Sequence, residues 1–498
     1  MKLITPQLLF LLLFIGNLVT YVQAEDLPNI VLLMGDDHGW DEVGYSGHPH
    51  LKTPVLDEMA AVGLRFERFY AAHPSCSPTR GSVLTGRHPN RYGTFTPGCS
   101  FRPEEITVAQ LLKTKGYVCG HFGKWHVGPV KSDSPTNPGK MGFDEWLSHD
   151  NFFELNPVLS ANGAAPKKIQ GESSEILVAA AAKFIAKAKR NNKPFFVVIW
   201  YGSPHEPYSG LPKDLALYDD LPEKYNDKTF RLTSNETGRP TKRPLGDVLR
   251  ERYAEITAMD RSIGQLRDFL AAEKLRDDTL LWYCGDNGTP GDGIITSPLR
   301  GQKSKVYDGG IRVPGIIEWP MRIKAPLVSQ VNSVTSDILP TLCELAGIEL
   351  PQRELDGLSL TGTFDASLQH RPAPMFFWQF NVGTDKQRVP WIPEPLQIGT
   401  TPLVKMMGNA YTRTFKNFKH PKVVPSDFDG SRAVLANNYK LVVAGGNASP
   451  KVELFKVPDD VAEQNNIATE NPEVVNRMLK QLRQWQTSVL TSLTGAEY

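Results

Sequence analysis

Three short apolar runs, 30–34, 195–201 and 279–283, each stop abruptly in polar residues. Runs of this length without alternation predict strands covered on both faces, as in a parallel sheet. The first enters Gly35-Asp36-Asp37-His38, the second Gly202-Ser203-Pro204-His205 and the third Cys284-Gly285-Asp286-Asn287. Ligands of open α/β sheets bind beyond the carboxyl ends of the strands, so these three clusters are expected to converge. Helical periodicity fills the intervals. An alanine-rich stripe covers 173–189, and 247–270 carries Tyr253, Ile256, Met259, Ile263, Leu266 and Leu270 at steps of three and four. The alternation predicts an α/β fold with a large mixed, mostly parallel sheet flanked by helices.

Past Asp356-Gly357 the pattern changes to Pro, Gly and aromatic residues with little periodicity, as far as Gly430. A hairpin is then expected over 432–443 around Asn437-Asn438, followed by a strand over 452–457. Asn471 and Pro472 open a last helix with a stripe of Val475, Met478, Leu479, Leu482, Trp485 and Val489. This predicts a small C-terminal antiparallel sheet with a packed helix. We therefore divide the chain into 25–360, a large α/β unit, and 361–498, a subdomain contributing to its cleft. Before both, Lys2, an apolar run over 8–19 and the small-x-small sequence Val22-Gln23-Ala24 match a cleaved signal peptide, 1–24. The expected destination is export, to a periplasm or the exterior. An uncleaved anchor is the alternative, and no later run is long enough to span a membrane.

Charge changes the picture by exclusion. With 55 Lys and Arg against 54 Asp and Glu, and no long basic run, the chain offers no electrostatic footprint for nucleic acid. Hydrophobic residues at 40% and charged residues at 22% exclude a disordered chain. The 5 cysteines are too few for a disulfide scaffold and leave at least one unpaired; no C-x-x-C spacing suggests zinc. Cys99, Cys119, Cys284 and Cys343 could pair in alternative ways or stay reduced.

The odd cysteine is Cys76, in Cys76-Ser77-Pro78-Thr79-Arg80-Gly81-Ser82-Val83-Leu84-Thr85-Gly86-Arg87. This segment resembles the signature of the type I sulfatases, Cys-x-Pro-Ser/Thr-Arg followed by Thr-Gly, within the alkaline phosphatase superfamily. The resemblance implies conversion of Cys76 to formylglycine by a dedicated formylglycine-generating enzyme. A hydrated aldehyde suits sulfate chemistry because its second hydroxyl can expel sulfate by collapse to the aldehyde, an exit closed to a serine ester. The block Gly116-Tyr117-Val118-Cys119-Gly120-His121-Phe122-Gly123-Lys124-Trp125-His126 resembles the second signature of that family, departing from it at Cys119. Lys124 would supply a fixed cation and His126 a base.

Asp36, Asp37, Asp286 and Asn287 offer hard oxygen ligands, which favours Ca²⁺ or Mg²⁺ over zinc. The family resemblance points to Ca²⁺, with modified Cys76 as a further ligand. By the same resemblance His205 and Lys303 complete the catalytic set of Cys76, Arg80, Lys124 and His126. Lys305 competes with Lys303, but the five-residue spacing to Asp308 favours Lys303; Asp308 itself stands where Glu is more common. The sequon at Asn287 overlaps a metal-ligand position and reads as a chance match, whereas Asn235 and Asn447 also lie in sequons.

The expected activity is sulfate ester hydrolysis by an exported enzyme acting on a sulfated glycan. The rivals are a phosphate or phosphonate monoester hydrolase of the same superfamily and a non-catalytic Ca²⁺-dependent glycan-binding protein. Specificity is expected from 151–166 and 378–430. The second segment holds Trp378, Trp391, Arg388, Arg413, Lys416 and Lys419, suited to stacking on sugars and pairing with anions, unless the tryptophans are buried between the two units.

Overall fold

The computed structural model describes residues 27–234, 237, 239–295, 297–381, 388–402, 412–446 and 449–498. The expected signal peptide and the sequons at Asn235 and Asn447 lie outside them. A ten-stranded sheet runs in the order Leu327–Ser329, Leu64–Phe66, Gly315–Glu318, Thr279–Gly285, Asn29–Gly35, Phe195–Trp200, Val118–Lys124, Glu145–His149, Val158–Ala161 and Lys167–Lys168. From Thr279–Gly285 to Glu145–His149 the strands are parallel. Antiparallel pairing begins on either side of them.

The apolar runs have no alternation because successive residues enter two different cores. Ile30, Leu32, Met34, Phe196, Val198, Trp200 and Trp282 pack on one face with residues of the helices Cys76–Thr85, Val108–Lys113 and Ile338–Leu345. Val31, Leu33, Val197, Ile199, Leu281 and Tyr283 pack on the other, under Ser173–Arg190 and Leu245–Ala272. Each such side chain, fully buried, stabilises the fold by roughly 1.5–3 kcal/mol. The α/β architecture is thus as the sequence predicts.

The C-terminal antiparallel sheet is also present, ordered Met375–Trp378, Arg432–Ala436, Tyr439–Ala444 and Lys451–Lys456. Met478, Leu482, Trp485 and Val489 of helix Pro472–Thr494 pack against one face through Val434, Leu441 and Leu454. Pro472 is the first helical residue, but Asn471 makes no side-chain cap; its Nδ2 instead donates to the Ile467 carbonyl at 3.0 Å.

One strand of this sheet was hidden in the sequence. Met375–Trp378 lies in the stretch that reads as aperiodic, because four consecutive apolar residues show no period when both faces are covered. Trp378 is therefore core: it is fully buried, and its indole N–H donates to the Asp429 carbonyl at 2.8 Å. All five cysteines are free. No helix among the described residues is long and apolar enough to cross a membrane.

Candidate active site

The parallel register sets the site. Met34 pairs with Trp200 and with Cys284, and Gly35 with Gly285, so the polar clusters that follow emerge side by side. Backbone bonds tie them together: Asp36 N–H donates to Ser203 O at 2.9 Å, and Asp286 N–H to Gly35 O at 3.1 Å. Asp37, held at a φ of 61°, donates its N–H to Asp286 Oδ1 at 2.9 Å. Asn287 Nδ2 donates to Asp37 Oδ1, also at 2.9 Å.

Strand Val118–Lys124 brings in a cation. Gly123 adopts a φ of +106°, where a side chain would lie 1.9 Å from the Trp200 carbonyl oxygen, so only glycine permits this close approach. Lys124 follows, with its Nζ 2.5 Å from Asp36 Oδ2 and both side chains fully buried. Two residues on, His126 sits at a φ of 57°, and its carbonyl accepts from Ser77 Oγ at 2.6 Å.

That bond joins His126 to the start of helix Cys76–Thr85, whose first residue is Cys76. The partial positive charge of a helix N-terminus therefore acts on position 76. Cys76 Sγ lies within 4.8 Å of carboxylate oxygens of Asp36 and Asp286. Arg80, one turn later on the same face, reaches Asp286 Oδ2 with Nη2 at 2.6 Å and Nε at 3.1 Å. Its Nη1 donates to Lys124 O at 3.2 Å.

Lys303 Nζ lies 2.6 Å from Asp37 Oδ2 and 3.4 Å from His205 Nε2, whereas Lys305 is exposed. His205 Nδ1 is 2.6 Å from the Glu206 carbonyl, to which it must donate, so its Nε2 carries the lone pair in the neutral ring. The Phe152 ring stacks on His205 at 4.5 Å. All ten residues singled out as catalytic or metal-binding thus gather in one place.

Burial penalises every charge here, and the arrangement decides which survive. Burial would raise Asp36, but Lys124, His205, Arg80 and Lys303 overcome it and hold the carboxyl below its ordinary range. Burial, with Asp36 adding, pushes Asp286 up to about 7 against the pull of Arg80. Burial also raises the Cys76 thiol, so the unmodified side chain is a poor nucleophile. It lowers His126 well below the histidine range, with Lys124, Arg413 and Arg80 adding, and brings His205 to about 4. His126 is a neutral imidazole whose two nitrogens are buried without hydrogen-bond partners.

A divalent cation fits these residues. Asn287 Oδ1 and Asp36 Oδ1 are buried acceptors without hydrogen-bond donors. Asp286 is one carboxylate more than the pocket readily ionises, a strain that a dication relieves. The oxygen-rich donor set suits a hard ion.

Several residues that shape the site escaped the sequence reading. Buried Arg252 donates to both Glu42 oxygens at 2.6 Å, to Asp37 O at 2.7 Å and to Pro204 O at 2.8 Å, clamping the Asp37 and His205 turns together. The signal was available: Arg252 precedes Ile256 by one turn and so interrupts the apolar stripe of its helix. Buried Lys440 similarly bonds Asp308 and Glu463. Asn287, with no exposed surface, is inaccessible to glycosylation. The two tryptophans expected at the cleft do not offer free faces: Trp378 is core, and the Trp391 ring is covered by Arg102 at 3.9 Å and approached by Lys419 at 5.3 Å.

A family model described as Sulfatase matches residues 28–348. The chain belongs to the sulfatase family. This sulfatase is 31% identical over 404 residues to the N-acetylgalactosamine-6-sulfatase of Sus scrofa, covering 72% of this chain and 70% of that one. It is 33% identical over 372 residues to the arylsulfatase A of Homo sapiens, covering 67% of each. The crystal structure of Ps i-CgsB in complex with k-i-k-neocarrahexaose superposes with a TM-score of 0.73 at 22% identity, over 93% of both chains. With these relatives, this sulfatase is a sulfuric ester hydrolase.

Proposed function

We propose that this sulfatase is exported, matures by conversion of Cys76 to formylglycine, holds Ca²⁺ through Asp36, Asp37, Asp286, Asn287 and the modified position 76, and removes sulfate from a sulfated carbohydrate. The observation that carries the reading is the seating of Cys76, at a helix N-terminus between Asp36 and Asp286, beside the buried cations Arg80 and Lys124. Formylglycine would supply a geminal diol as nucleophile with a built-in route of release, and Ca²⁺ a Lewis acid for sulfate oxygens.

The chain's own residues do the rest. Arg80, Lys124 and Lys303 form a preorganised cationic wall for a sulfate group; Arg80 and Lys124 are fully buried, and all three are already held in place by carboxylates, so little reorganisation is needed as charge develops. Lys303 and His205, 3.4 Å apart, hold a proton between them for the departing alcohol. His126, neutral and without competing hydrogen bonds, accepts the proton whose removal lets sulfate leave.

A carbohydrate substrate is supported by the similarity to an N-acetylgalactosamine-6-sulfatase and to a structure in complex with k-i-k-neocarrahexaose. We divide the chain into a catalytic unit over 25–360 and a subdomain over 361–498 that contributes to the cleft, and that contribution is supported by contacts from the subdomain to this region. Asp150 Oδ2 accepts from Thr400 N, Thr401 N and Thr401 Oγ1 at 2.7–2.8 Å, and the Phe415 ring lies 6.3 Å from His126. The test is a rate comparison on sulfated glycans, aryl sulfate and aryl phosphate, using protein from a host with a formylglycine-generating enzyme. Preference for sulfate esters, lost in Cys76→Ala, is expected. Preference for phosphate would favour the monoester-hydrolase rival, and binding without turnover the glycan-binding one.

A further inference from the structure

Asn151 is 1% exposed, and neither its Oδ1 nor its Nδ2 has a hydrogen-bond partner. A buried amide left empty on both atoms is costly and rare, and calls for a specific explanation. Its place supplies one. Asn151 lies two residues past His149, the register partner of Lys124, and directly before Phe152, whose ring stacks on His205. It therefore lies just beyond the carboxyl end of strand Glu145–His149, beside the strand that ends in Lys124 and next in the chain to the ring stacked on the proposed proton donor. The same kind of orphaned atom marks His126 and Asn287 within the site.

The backbone at this point is rigidly held. Asp150 accepts from Val130 N at 2.8 Å and from the 400–401 segment, while Asn151 N–H donates to His149 Nδ1 at 2.9 Å. An amide on such a fixed turn can bind a ligand without an ordering cost. Its chemistry is one acceptor and one two-proton donor, complementary to an alcohol O–H that both gives and takes a hydrogen bond.

We infer that Asn151 is a specificity-determining residue that binds a hydroxyl group next to the sulfate ester, and so selects polyhydroxylated leaving groups over aryl ones. This rests on the sulfatase reading above. The experiment measures kcat and KM for 4-nitrophenyl sulfate, which has no second hydroxyl, and for monosaccharide sulfates esterified at the 2-, 3-, 4- or 6-position. Asn151→Leu, close in shape but apolar, should lower kcat/KM on the best sugar sulfate by about tenfold or more and leave 4-nitrophenyl sulfate within about twofold. Asn151→Asp, which keeps an acceptor but loses the donor, should fall between and carries the test if the leucine variant does not fold. The melting temperature of Asn151→Leu should stay level or rise, because an unsatisfied amide is removed. Equal losses on both substrate types, or no loss on either, would overturn the inference and point to a structural amide or one satisfied by water. A wild-type enzyme that cleaves the aryl ester but no sugar sulfate would overturn it too, whereas absence of all sulfate-ester cleavage would overturn the underlying reading.

Discussion

The ammonium of Lys440 lies 2.6 Å from Asp308 Oδ1, with neither side chain exposed, although one belongs to the C-terminal sheet and the other to the turn after Lys303. Glu463 Oε1 approaches the same ammonium at 2.8 Å, and Glu463 Oε2 accepts the Asp308 N–H at 2.7 Å. Asp308 is thereby one of the points at which the subdomain grips the Lys303 turn, along with the bond from Gln379 Nε2 to Ser304 O at 3.0 Å. Lys440→Met leaves two buried carboxylates facing each other and should cost about 3–5 kcal/mol in urea unfolding. The double variant with Asp308→Asn should recover part of that loss.

The oxygen ligands give a second prediction. Asn287→Ala removes an amide whose Oδ1 has no protein partner but whose Nδ2 bonds Asp37 Oδ1 and Gly288 O, so the protein should still fold, with a melting temperature lowered by the loss of those two bonds. Turnover should fall by about two orders of magnitude or more, because removing even a residue that only orients a metal's ligands typically costs about 10–100-fold. Calorimetry should show Ca²⁺ binding to wild type but weakened in the variant. Unchanged Ca²⁺ affinity would remove Asn287 from the ligand set.

Proton transfers should separate by leaving group. Lys303 and His205 face each other at 3.4 Å, so His205→Ala should slow a sugar sulfate by about 10²–10⁴ and an activated aryl sulfate far less. His126→Ala should instead release one equivalent of alcohol rapidly and then stall, with the same stall on both substrates. Identical single-turnover defects for the two variants would collapse this division of roles.

Much of this arrangement could be read from sequence, for physical reasons. Strands buried on both faces print as unbroken apolar runs, so Asn29–Gly35, Phe195–Trp200 and Thr279–Gly285 were legible, and topology then brings their ends together. Strand Val118–Lys124 was harder to see as a strand. It contains His121, buried against Trp125, Trp200 and Phe143, and two glycines, Gly123 admitting the Trp200 backbone and Gly120 the rings of Phe122 and Phe184. Lys440 and Glu463 were invisible because their partners lie far away in the chain, and pairing at that distance leaves no local pattern. Trp378 could be read either way: an aromatic residue in a Pro- and Gly-rich stretch suits a binding face as well as a core, and only the sheet pairing of Met375–Trp378 with Arg432–Ala436 decides for core.

Acid sensitivity should have an identifiable share from His88. Burial, with Arg91 adding, lowers this imidazole to about 3 despite the pull of Asp356. Below about pH 6.5 the unfolded chain takes up a proton there that the folded chain refuses, so stability falls as pH drops from 6.5 towards 3. Between pH 7 and 5.5 the loss from this one group is about 1 kcal/mol. Urea unfolding of wild type and His88→Gln at both pH values should show the variant losing less by that amount; equal losses would mean that His88 titrates normally.

The central claim is that position 76 acts as an aldehyde hydrate and not as a thiol. It is tested most directly by the mass of the tryptic peptide 69–80 from active enzyme, compared with the same peptide from a host lacking the maturation enzyme. The account predicts that active protein carries a peptide lacking one sulfur and two hydrogens and bearing one more oxygen, with specific activity proportional to the converted fraction. Full sulfate-ester turnover by protein whose Cys76 is entirely an unmodified thiol would contradict it.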